Sequence, residues 1–159
     1  MIPSTKLINA LRRTANRIEA TPVGDYMPLT DNLDWNWFDN ERCNCGLLAQ
    51  ELGFSKEQID KEILGSWVVQ PAICESTGKP LGEILRTLSE FGIEESQIAV
   101  LEGPWKRSAE IKYPDVANEP KKTQRLSVEY FRSKANELER QLNCQNSNQS
   151  IQQQQTVSV

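Results

Sequence analysis

Apolar residues recur at helical spacing in several separate stretches of the chain. Leu7, Leu11, Ala15 and Ile18 mark one face of residues 4–20, the pattern of a helix packed on one side. Ser4 or Thr5 can cap its start, and Pro22 and Gly24 end it. Lys6, Arg12, Arg13 and Arg17 cover much of the remaining surface. That cationic side reads as a solvated face, with an acidic partner as the alternative. A second run, Leu47, Leu48, Ala49 and Leu52, predicts a short helix stopped by Gly53. Ser55 to Gln58 then has the form of a capping box, and Ile59, Ile63 and Leu64 supply the apolar side of the next helix. The same design returns over residues 81–102: Leu81, Ile84, Leu85 and Leu88, a break at Gly92, then Ile98 and Leu101. An offset of 39 aligns Gly53 with Gly92, Gln58 with Gln97 and Ile59 with Ile98, a match that the shared grammar of helix pairs also explains. The last periodic stretch, residues 123–143, carries Phe131, Ala135, Leu138 and Leu142 on one face. It is expected to pack on the first helix or on another copy of itself.

The connections are polar. Residues 21–42 contain turn formers throughout, yet carry Tyr26, Trp35, Trp37 and Phe38. That composition predicts an ordered loop pinned by aromatic side chains. Its first reading is a lid on the core; a pocket wall or partner platform is the alternative. Residues 65–80 are a second irregular segment, in which residues 65–69 could be extended, and residues 103–122 a third. Residues 144–159 are rich in Asn, Gln and Ser, cannot bury a core and are expected to form a flexible tail, with Cys144 as a free surface thiol at its start. The predicted organisation is a single all-α domain over residues 1–143 followed by the tail.

The most distinctive chemistry lies between Trp35 and Gln50. Cys43 and Cys45 sit one residue apart where the aromatic loop becomes a helix. Asn44 can serve as the N-cap, placing Cys45 in the first turn, where free N–H groups and the helix dipole favour a thiolate. Arg42 adds positive charge, and Gly46 leaves backbone uncovered for close approach. The competing reading is that cysteine acts here as a small buried hydrophobe. A disulfide across one residue would be strained.

The block Arg42-Cys43-Asn44-Cys45-Gly46-Leu47-Leu48-Ala49-Gln50, with the later Cys74-Glu75-Ser76-Thr77-Gly78, resembles that of a small bacterial family without an assigned function. Its members carry Cys-Asn-Cys-Gly-His-Leu-Ala-Gln after a Trp-containing loop, and the likeness covers the first two thirds of the chain. This sequence departs from the pattern at Leu47, where the family has His. Any metal or base role of that His is therefore lost here, and the resemblance implies no activity.

Composition narrows the chemistry. The 159 residues contain no histidine. The chain cannot supply an imidazole for Cys-His or Ser-His-Asp catalysis, or for a His-based metal site. A net charge of −4 argues against nucleic-acid or anionic-membrane binding. The residue 55–64 helix, with Lys56, Glu57, Asp60, Lys61 and Glu62, is no more basic than acidic and makes a poor DNA-recognition helix. No run is long enough to span a membrane. The four cysteines and the absence of a signal-peptide pattern predict a cytoplasmic protein.

Three functions follow. The first is a binding or structural module for a protein or small-molecule partner, with Trp35, Trp37, Arg42 and Gly46 as binding residues and homodimerisation open. The second is a zinc site using Cys43, Cys45 and Cys74, with Asp39, Glu41 or Glu75 as fourth donor. The third is thiol chemistry with Cys45 as nucleophile or redox group and Cys43 or Cys74 as its resolving partner. Whether the chain is an enzyme stays open between them.

Overall fold

The computed structural model describes residues 1–23, 44–53, 88–103, 108–111 and 119–156. Among these the chain is helical and contains no strand, so the fold is all-α. The predicted helix over residues 55–64 and the extended piece over residues 65–69 lie outside the described residues.

Helix α1 (Thr5–Ala20) begins at Ser4, whose extended backbone and hydroxyl fit an N-cap: Oγ accepts from Leu7 N–H at 3.2 Å. Its apolar stripe is the predicted one. Leu7, Leu11, Ala15 and Ile18 are fully buried, joined by Ile8, Ala10 and Thr14. Each large side chain so covered stabilises the fold by about 1.5–3 kcal/mol. The other end is closed from a distance. Gln124 Nε2 donates to Ile18 O (2.6 Å) and to Thr21 O (2.7 Å), giving carbonyls at the C-terminal end of α1 a buried partner.

Helix α4 (Pro120–Thr156) is the longest among the described residues, at 37 residues. Pro120 suits the first helical position, where its missing N–H takes nothing from the helix. Phe131, Ala135 and Leu138 form its buried face, with Val128 above them and Leu142 half-buried below. The helix runs antiparallel to α1: Arg132 reaches Glu19 and Arg12 reaches Glu139 across the seam. It also continues past residue 143 to Thr156, where the composition had predicted a flexible tail. Glutamine is a good helix former, and extending an existing helix avoids the cost of nucleation. The polar composition shows instead in burial, since every side chain from Asn143 to Gln153 is exposed, Cys144 included.

Helices α2 (Asn44–Glu51) and α3 (Glu95–Glu102) are the other two among the described residues, α2 lying between α1 and α3. Gly53 follows α2 at φ +116° and Gly92 follows the helical turn at residues 88–90 at φ +68°, so the two glycines aligned at the offset of 39 share a helix-ending role. At the second corner Gln97 Oε1 accepts from Glu94 N–H at 3.2 Å, the back-bond of a capping box at the start of α3. The chain's first residues pack on this corner: Ile2 N–H donates to Phe91 O at 2.6 Å, and Lys6 Nζ lies 5.6 Å from the centre of the Phe91 ring. No helix among the described residues is long and apolar enough to cross a membrane.

Candidate functional site

Asn44, Cys45 and Gly46 lie in the first turn of α2, where the spacing placed Cys45, and all three are buried. Asn44 is not the N-cap that the spacing predicted but lies within the helix. It is the first helical residue, and its side-chain Nδ2 donates to Leu101 O of α3 at 2.8 Å. A buried amide in this position ties two helices together. Cys45 is 3% exposed and belongs to the same buried cluster as Leu47, Leu48, Ala49 and Leu101. Its thiol faces Ile98 O at 3.8 Å, the range of a weak S–H donor. Cys45 therefore has the first-turn position that favours a thiolate but not the exposure that a reactive thiol needs.

Trp35, Trp37, Arg42, Cys43 and Cys74, with Asp39, Glu41 and Glu75, lie outside the described residues. Of the predicted site the structure thus places Cys45 and Gly46. Among the described residues no three His, Cys, Asp or Glu side chains gather in a way that could hold a metal ion.

The other end of α2 is held by the cationic side of α1. Arg13 Nε pairs with Glu51 Oε2 at 2.5 Å, and its NH2 donates to Glu51 O at 3.0 Å, so one guanidinium satisfies both the carboxylate and a carbonyl of the helix end. Arg17 donates to Gln50 Oε1 at 2.7 Å and pairs with Glu51 Oε1 at 3.3 Å. Positive charge at a helix C-terminus is also favoured by the dipole. On the surface read as solvated, Arg13 and Arg17 stay in part exposed and also form an intramolecular clamp. Chain distance hid this, since nothing in the local pattern of either helix names the other.

An open cleft of about 520 Å³ lies where α4 begins, lined among others by Glu19, Glu119, Lys121, Lys122, Arg125 and Arg132. Several of its charges have partners, some of them beyond the lining. Arg132 holds Glu19, Arg125 holds Glu110 at 2.8 Å, and Lys122 donates to Glu110 O at 3.1 Å. Hydrogen bonds from Arg132, then its charge, lower the Glu19 pKa below the ordinary carboxylate value; Arg12 does the same to Glu139. The Arg132–Glu19 and Arg12–Glu139 pairings each span more than 100 residues of sequence.

No known family model, curated protein or solved structure matches the chain.

Proposed function

We propose that the chain is a helical binding or structural module, in which Cys45 is a packing residue of the α2–α3 contact. The observation that carries this reading is the burial of Cys45 within the core, with its thiol turned to the Ile98 carbonyl. A nucleophile or redox thiol must meet its substrate, and burial at this level denies it contact. The partner-facing candidates are the aromatic side chains Trp35 and Trp37 with Arg42. Zinc held by Cys43, Cys45 and Cys74 is the competing proposal.

Thiol labelling under native conditions tests the reading. Cys144 should be alkylated at the rate of a free peptide thiol, and Cys45 only as fast as the fold opens. Alkylation of native Cys45 at or above the Cys144 rate at neutral pH would return the reading to thiol chemistry. Metal analysis of the purified protein tests the alternative: one equivalent of zinc, with a Tm that falls in chelator, would favour the three-cysteine site over packing.

A further inference from the structure

Helices α1 and α4 carry the same eight-residue pattern. Arg12, Ala15, Asn16, Ile18 and Glu19 recur, 120 residues later, as Arg132, Ala135, Asn136, Leu138 and Glu139. The likeness extends to contacts. Arg12 donates to Asn136 Oδ1 at 3.1 Å and, through two nitrogens, to Glu139 at 3.1 and 2.8 Å. Arg132 donates to Asn16 Oδ1 at 3.1 Å and, again through two nitrogens, to Glu19 at 3.2 and 2.5 Å. Ala15 and Ala135 are both fully buried in the seam. The two helices are thus related by a local two-fold axis, each presenting to the other what the other presents to it. This is the property of a contact between identical subunits.

The pattern also fixes how two such helices meet. Arginine and glutamate lie seven residues apart, so the antiparallel register places each arginine opposite a glutamate. A slip of seven residues would set Arg12 against Arg132 or Glu19 against Glu139. A parallel pairing in register would oppose like charges throughout. Buried apolar side chains supply the adhesion, and the charges reject the alternatives.

We propose that this seam is a self-recognising interface, and that α4 of a second copy docks on α1 in place of the resident α4 to form a two-fold dimer with two exchanged seams. Exchange would conserve every α1–α4 contact. Residues 108–111 would travel with α4, since Ile111 packs against Leu126 and Glu110 pairs with Arg125. Within one chain the resident helix is favoured by its high effective concentration, so the exchanged form should grow with protein concentration. The proposal goes beyond the binding-module reading and does not depend on the role of Cys45.

Two full-length variants test it. One reverses the α1 charges (R12E/E19R) and the other the α4 charges (R132E/E139R); neither changes the net charge. Each has a mismatched seam alone, but an exchanged pair of the two has both seams matched. Mixed or co-refolded at equal, tens-of-micromolar concentration, they should give a one-to-one species of twice the monomer mass by light scattering and native mass spectrometry. The variant carrying all four reversals should be a folded monomer at that concentration. If both single-helix variants are unfolded alone, recovery of helical signal only in the mixture supports exchange. The proposal is overturned if the mixture stays monomeric or unfolded while the four-fold variant folds. It is also overturned if either variant alone forms the same dimer, since its seam would be mismatched there too.

Discussion

Replacing Gly92 by alanine is expected to destabilise the fold by about 1.5–3.5 kcal/mol, the sum of two separate effects. The first is conformational. At φ +68° an L residue pays about 1–2 kcal/mol that glycine does not. The second is steric. An added Cβ would stand 2.6 Å from Ile2 Cγ1, 2.8 Å from Ile2 N and 3.2 Å from the Met1 carbonyl carbon. The Ile2 side chain is exposed and can rotate away, but the backbone atoms can retreat only by loosening the Ile2 N–H bond to Phe91 O. Such a bond contributes about 0.5–1.5 kcal/mol net. Urea unfolding gives the total, and exchange of the Ile2 amide hydrogen reports the second effect directly. Asparagine separates the two, because it tolerates the left-handed region but carries the same Cβ. G92N should therefore recover only part of the loss and should still speed Ile2 exchange. Gly53, at φ +116° with nothing within 4 Å of an added Cβ, serves as the control: G53A should be destabilised without any change at Ile2. A G92N protein with native stability and native Ile2 exchange would refute the close-approach argument.

Other substitutions probe the long-range contacts. Q124L should cost about 1–3 kcal/mol in urea unfolding, because Thr21 O loses the Gln124 donor and Ile18 O keeps only the Thr21 N–H. Q124E should cost more at neutral pH than at acid pH, since a carboxylate would face those oxygens; equal losses at the two pH values would count against the assigned geometry. F131A, at a side chain with no exposed surface, should cost about 3–5 kcal/mol by the same measurement, and a loss below 1 kcal/mol would place Phe131 outside the core. The Glu19, Glu137 and Glu139 carboxyls are held below their ordinary pKa, chiefly by hydrogen bonds from Arg132, Lys134 and Arg12 respectively. Lowered folded-state values mean a stabilisation present above the unfolded pKa and lost as pH falls through the folded one, hence below about pH 4. The urea midpoint should drop in that window and less steeply in E19Q/E139Q; an unchanged acid limb would show that these pairs contribute nothing.

The apolar rhythm of the sequence by itself determined which faces of α1 and α4 are buried, because burial of one side of a helix needs only the 3.6-residue period. It also placed the helix stops at Gly53 and Gly92, since positive φ is a local demand met by a particular residue. The polar composition of residues 144–159 foretold the absence of burial but not the backbone state, which α4 carries on to Thr156 because a helix already formed extends at little cost. What the tertiary structure alone decided are the partners of the polar groups. Asn44, read as a local cap, is bonded to Leu101 of α3, and Arg13 and Arg17 close on Glu51. Gln124 ties off the end of a helix more than 100 residues earlier. These contacts between distant segments leave no periodic trace in either one. The first-turn position of Cys45 was legible for the same local reason as the glycines. Its burial in the core, with the thiol turned to Ile98 O of α3, exists only once the helices have packed.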